Sequence, residues 1–258
     1  MLIDNYAYTN KLINVHPGEK LLFSLTSMAV GFVPNIYVDL VIILMMGVVL
    51  VWKAGIPTKV YLKVLVLPLS FLLPSIFVLM INVVSTESQA LWGFSVFHVR
   101  VGVTAASIKV AGLLFLRAMA LISCLFFLSL TTPMIDLIMV LEKLKVPFII
   151  LELMQLVYHF LFVFMEMTYR IYISQSSRLG YITPKAGINS LGRLVTSLFI
   201  KTYQDSESLY VALEARGYDG ELRVLNKNIP VSKSNLFCIL STELLLLLVA
   251  LVTQGGMR

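Results

Sequence analysis

Charge is what this chain has little of. Of its 258 residues, 13% are Asp, Glu, Lys or Arg, about half the share usual in a soluble domain. So few charges cannot cover a solvated globular surface. Cysteine is scarcer still. Cys124 and Cys238 are the two present, and both lie in apolar runs. They read as small buried hydrophobes rather than as a disulfide or metal pair. The three histidines, His16, His98 and His159, are far apart and lack metal-ligand spacing with any cysteine, so no metal site is expected in this chain. Neither GxxxxGK[ST] nor GxGxxG occurs, which excludes nucleotide binding of those kinds, and HExxH and GxSxG are missing too. No cofactor of its own is expected. The opening Met1–Tyr6 lacks a cationic lead before a greasy core, so it does not read as a cleaved signal peptide. Ten-residue β-barrel alternation, internal repeats and inverted pseudo-symmetry are also missing.

Long apolar runs are what the chain does have. Hydrophobic residues make up 59% and the mean hydropathy is +0.90. Runs near 18 residues recur, the signature of an all-α polytopic membrane protein. Residues 1–20 are expected to be a polar cytoplasmic lead, and 21–130 to hold four transmembrane helices. The turn at Pro34-Asn35 divides 21–33 from 36–52. A third span covers about 64–84, with Pro68 and Pro74 inside it, and a fourth about 110–130. The stretch 85–108 is mixed. A fifth span, Leu236 to Val252, opens the terminal segment 236–258.

Residues 131–235 hold 11 of the 20 Lys/Arg residues and 9 of the 14 Asp/Glu. They remain rich in Leu, Ile, Phe and Tyr, so they are not a disordered tail. Ile188, Leu191, Leu194, Val195, Leu198 and Phe199 recur at helical spacing on one face. This helix is expected to reach Arg216, with Gly217 as its C-cap. Within 148–168, hydropathy argues for a span. However, Glu152, Gln155, His159 and Glu166 share an arc of roughly 60°, which fits a helix lying at the membrane surface. If this stretch does not cross and the N-terminus is inside, 16 of the 20 Lys/Arg residues are cytoplasmic, as the positive-inside bias requires. The net charge of +6 then belongs to cytoplasmic loops, and no nucleic-acid partner is expected.

Few ionisable residues fall inside the spans. Asp39, Arg117 and Glu243 do, and such residues are either functional or paired structurally. No proton-relay chain is visible. The tips of the cytoplasmic helices carry a second candidate. Arg216, between Ala215 and Gly217, could pair bidentately with a carboxylate in a partner's groove, or merely complement its helix dipole.

The segment Ala212-Leu213-Glu214-Ala215-Arg216-Gly217-Tyr218-Asp219-Gly220 resembles the second Ala-Arg-Gly signature of one transporter family. Ile3-Asp4-Asn5-Tyr6-Ala7-Tyr8, Val15-His16-Pro17-Gly18-Glu19-Lys20, Leu116-Arg117-Ala118 and Thr131-Thr132-Pro133 are similar to it as well. The family is the transmembrane T component of energy-coupling factor (ECF) transporters, in its cobalt-type branch, CbiQ. The first signature arginine should lie in Ser176-Ser177-Arg178-Leu179-Gly180. There Ser177 replaces the alanine and Leu179 intervenes before Gly180, so Arg178 is expected in the role, with Arg170 as the fallback.

The resemblance implies a non-enzymatic scaffold in a prokaryotic cell membrane. Two cytoplasmic ATP-binding-cassette ATPases, which hold the ATP, would dock on its coupling helices. A separate membrane subunit would bind cobalt or nickel. The competing reading is a stand-alone membrane carrier or enzyme in which Asp39, His98, Arg117, His159 and Glu243 converge on one site.

Overall fold

A computed structural model describes residues 2–83, 92–96, 99–218 and 229–255. Helices dominate. They are α1 (Leu2–Thr9), α2 (Pro17–Gly31), α3 (Ile36–Val48), α4 (Thr58–Met80), α5 (Ala105–Thr131), α6 (Met134–Lys143), α7 (Phe148–Ser177), α8 (Pro184–Ala215) and α9 (Lys233–Gly255). A π-helical turn, Val49–Lys53, prolongs α3. The chain divides into two compact units, one of residues 1–137 with 228–258 and one of residues 138–227.

Local chemistry sets the helix starts. His16 caps α2, its Nδ1 accepting the Gly18 N–H at 3.0 Å, and Pro17 takes the first position, where a missing N–H costs nothing. Asn35 caps α3 by accepting the Tyr37 N–H at 3.1 Å, which makes the turn expected at Pro34-Asn35. Thr104 and Ser107 form a reciprocal capping box at the head of α5.

In the first unit α3 and α5 form the centre, with α2, α4 and α9 around them. Val38, Ile42, Met46 and Leu50 from α3 and its π turn are fully enclosed, as are Ala120, Cys124 and Leu130 from α5. Small residues allow close approach where apolar burial gives little net drive in lipid. Ser24 Oγ donates to the Cys124 carbonyl at 2.8 Å, and Phe23 meets Phe127 edge-on at 5.3 Å. By contrast, α4 is almost bare. Leu67, Phe71 and Phe77 are over two-thirds exposed, which suits contact with acyl chains or another membrane helix rather than water.

Several expectations change in detail. The polar lead 1–20 is instead partly core. It holds α1, and the first turn of α2 buries Glu19 and Lys20. Asn10 ties α1 to the end of α5, donating to the Thr131 carbonyl at 3.2 Å. The mixed stretch 85–108 contains strands β2 (Trp92–Val96) and β3 (Val99–Val103), which join β1 (Ile81–Val83) in a small antiparallel sheet ordered β1-β3-β2. Span three therefore stops at Met80, because Ile81–Val83 pairs with Val101–Val103.

Among the described residues, five helices are long and apolar enough to cross a membrane: Ile36–Lys53, Thr58–Met80, Ala105–Thr131, Phe148–Ser177 and Lys233–Ala250. Four match expected spans, and the count is five as expected, but one member differs. Residues 21–33 fall mostly within α2, whose 15 residues give about 22 Å of helix. Its head lies at the end of the bundle that holds Ala54 and Thr131, which Lys11 and Lys20 bond at 3.0 and 2.9 Å, and its tail leads to the start of α3, so α2 runs the same length of the bundle as a short span. The added member is α7, whose polar stripe does not lower its hydropathy below that of a span. The chain is a multi-pass, all-α membrane protein.

Candidate functional site

Residues 138–227 form a unit dominated by α7 and α8. At one end of the pair, Gln175 Nε2 donates to the Ser190 carbonyl at 3.1 Å, and Ser190 Oγ to the Gly180 carbonyl at 2.8 Å. Tyr181 Oη donates to Gln175 Oε1 at 2.7 Å. At the other end, Tyr218, just past α8, donates to the Glu152 carboxylate near the start of α7. The two helices therefore run antiparallel.

Each long helix ends on one of the expected arginines. Arg178 is the C-cap of α7 and Arg216 the C-cap of α8. Both terminations are the same motif. After α7, the Gly180 N–H donates to the Gln175 carbonyl at 2.9 Å and the Leu179 N–H to the Ser176 carbonyl at 3.0 Å. After α8, the Tyr218 N–H donates to Leu213 and the Gly217 N–H to Glu214, both at 3.0 Å. These are the paired six-to-one and five-to-two bonds of the Schellman turn.

The departure at the first signature now has a physical account. A Schellman turn needs a left-handed residue directly after the cap. Gly217 fills that place after Arg216 with φ +79°, and Leu179 fills it after Arg178 with φ +59°. Gly180 sits one step further on, where a different demand applies. A Cβ there would stand 2.7 Å from Ser190 Oγ and 2.8 Å from the Gln175 carbonyl oxygen. The intervening leucine thus leaves the arginine at the same cap position.

Both arginines are exposed, as are Ser177, Ala215 and Gly217. Because the helices are antiparallel, the two caps lie at opposite ends of the pair. The 32 residues of α8 set that separation on the order of 48 Å. Arg170 is different: it lies inside α7 and pairs with Glu166 at 2.5 Å one turn earlier. The apolar face foreseen on α8 is mostly uncovered. Leu194 is buried, while Ile188 and Phe199 are each 72% exposed.

The three intramembrane charges lie in two places. Asp39 of α3 is wholly buried, and the charge acting on it is Arg117 of α5. Neither carboxylate oxygen of Asp39 has a hydrogen-bond partner, nor do Nε and Nη2 of Arg117. Glu243 of α9 accepts from Ser27 Oγ of α2 at 2.5 Å. His159 belongs to the other unit, and His98 lies outside the described residues. Among the described residues, no three His, Cys, Asp or Glu side chains gather as a metal site.

Sequence reasoning missed a polar junction at the head of α2. Glu19 accepts the Ser232 N–H at 2.6 Å and Asn235 Nδ2 at 2.9 Å. Lys20 Nζ donates to the Thr131 carbonyl at 2.9 Å. Lys20 lies outside the five long apolar helices. Burial pushes its ammonium down to about 8, against the pull of Asp136 and Glu19. Only the run Val15-His16-Pro17-Gly18-Glu19-Lys20, noted for its resemblance, pointed here.

The helical architecture puts the chain in the class of multi-pass membrane proteins. A family model described as cobalt transport protein, CbiQ, matches residues 9–226. The chain belongs to the CbiQ family. It is 30% identical over 98% of its length to an uncharacterised protein of Methanocaldococcus jannaschii, covering 94% of that protein. It is 31% identical over 85% of its length to a fused cobalt transport protein CbiMQ of Methanocorpusculum labreanum, of which the match spans 37%. It is also 24% identical over 86% of its length to the cobalt transport protein CbiQ of Salmonella typhimurium, covering 99% of that protein.

Proposed function

We propose that the chain is the non-catalytic T component of an ECF-type importer of divalent cobalt or nickel. The observation that carries this reading is the pair of equivalent arginine caps, Arg178 and Arg216, at opposite ends of one antiparallel helix pair. Two like cations on two like turns suit two like partners. In this reading each cap enters a groove on one cytoplasmic ATPase, where its guanidinium pairs with a carboxylate. Ser177, Gly180, Ala215 and Gly217 keep the approach narrow. ATP is held by those partners, and the metal by a separate membrane subunit.

Coupling follows from rigidity. ATPase closure would change the spacing of its two docking grooves. A helix pair held at both ends must then move as a body. Its uncovered apolar face is broad enough to carry that motion to the metal-binding membrane subunit. In this reading Glu243–Ser27 is an internal tie between α9 and α2, and the opposite charges of Asp39 and Arg117 offset one another within the bundle; neither is a reaction centre.

The experiment is co-purification and metal uptake with Arg178→Glu, Arg216→Glu and the double variant. Losing one member of a buried charge pair costs about 2–5 kcal/mol. Each single variant should release most of the ATPase, and the double variant should abolish uptake, with membrane insertion unchanged. Normal assembly and uptake in the double variant would refute the proposal.

A further inference from the structure

The first unit contains a cavity of about 230 Å³ lined by both charged and apolar side chains. Its lining includes the polar Lys20, Lys53, Glu19 and Asn235 and, among others, Phe23, Met45, Phe127, Ile239 and Thr242. Lys53 closes the long apolar helix Ile36–Lys53, and Asn235 lies in the first turn of the helix Lys233–Ala250. Trp52, 81% exposed, stands beside Lys53. An exposed Trp-Lys pair at a span's end marks the headgroup level of a bilayer. From Lys53 to Met45, and from Asn235 to Thr242, the walls descend about 10–12 Å along their helices. The cavity therefore begins among headgroups and ends within the hydrocarbon.

Its charges are unequal. Glu19 is committed to the Ser232 N–H and to Asn235. Lys20 Nζ donates to the Thr131 carbonyl, with Asp136 and Glu19 acting on it, and Lys53 is exposed. Lys11, whose main-chain N–H donates to the Ala54 carbonyl at 3.0 Å, adds a further cationic residue beside Lys53. A cationic rim above an apolar floor suits an amphiphile with an anionic head. We propose that this cavity is a binding site for an anionic phospholipid. The phosphate sits between Lys20 and Lys53, and the first methylenes of one acyl chain lie against Phe23, Phe127 and Ile239. The lipid would thereby clasp α2, α3, α5 and α9, all of which contribute to the walls.

The test uses the full chain, purified in a neutral detergent. Its thermal midpoint is followed while phosphatidylglycerol, phosphatidylcholine of the same chains, or inorganic phosphate is added. At a tenfold excess over the dissociation constant, phosphatidylglycerol should raise the midpoint by about 3–6 °C. Phosphatidylcholine and phosphate should each give less than a third of that rise. Lys53→Glu, at an exposed position, should erase the preference for the anionic lipid. Thr242→Trp, which fills the apolar floor, should erase the response to phosphatidylglycerol while leaving the lipid-free midpoint near its starting value. Equal responses to the two lipids, an equal response to phosphate alone, or an undiminished preference in Lys53→Glu would each overturn the proposal.

Discussion

Leu179 is the residue on which the two helix ends can be compared. It holds φ +59° where the other end has glycine at φ +79°. A left-handed L-residue costs about 1–2 kcal/mol, and glycine would return part of that through its larger unfolded-state entropy, about 0.5–1 kcal/mol. Leu179→Gly should therefore stabilise the end of α7 by about 0.5–1 kcal/mol. Slower hydrogen exchange at the Gly180 amide, the six-to-one donor, is the measurement. Gly180→Ala should act in the opposite direction. Its new Cβ meets a carbonyl oxygen of the backbone at 2.8 Å, which cannot turn aside as a side chain does. A loss of about 1–3 kcal/mol is expected, with faster exchange across 175–180. Neither change touches a guanidinium. If the cap geometry aims Arg178, Gly180→Ala should also weaken ATPase retention, whereas Leu179→Gly should preserve it.

At the scale of elements, the head of α2 joins parts far apart in sequence. Glu19 bridges to Ser232 and Asn235 just before and within α9. Hydrogen bonds to a charged group contribute about 1.5–3 kcal/mol each at most. Glu19→Gln should lower the thermal midpoint, with the earliest loss of protection at the start of α9. Lys20 adds a pH dependence of definite sign. Folded, it gives up its proton near pH 8, and unfolded near 10.5. Between those values the unfolded chain holds more protons, so this residue's contribution to stability rises with pH. Asp136, Glu19 and the Thr131 carbonyl are the groups facing it. Wild type should gain stability relative to Lys20→Met between pH 7.5 and 10. A constant difference would show that the ammonium is not desolvated.

The bonds of this junction could not be read from the sequence, beyond the resemblance of the run that carries Glu19 and Lys20, because Glu19 and its partners are more than 200 positions apart. The long helices could be read, since each carries its own apolar run. The cap after α8 was legible too, because glycine advertises a left-handed turn, while leucine at 179 conceals one. The three short strands were hidden for a similar reason. Their pairing of 81–83 with 101–103 is tertiary, and a three-residue strand has no periodicity to detect.

For the whole molecule, the decisive quantity is which side of the bilayer bears the cap arginines. Length and hydropathy admit α7 as a crossing helix. Its polar stripe and the distribution of cations argue that it stays on one side. If α7 crossed, the nine Lys/Arg residues from Arg170 to Lys233 would face the compartment opposite the positive loops, against the positive-inside bias. Single cysteines at Thr9, Thr183 and Ser208, in a Cys238→Ser background, separate the two arrangements; Cys124 is buried and silent to an impermeant reagent. All three positions should resist labelling in intact cells and react in inside-out vesicles. Labelling of Ser208→Cys from outside, with Thr9→Cys protected, would place α7 across the membrane. It would carry Arg216 away from any cytoplasmic ATPase, because α8 is one unbroken helix of 32 residues and cannot present its two ends to different compartments without itself spanning the bilayer.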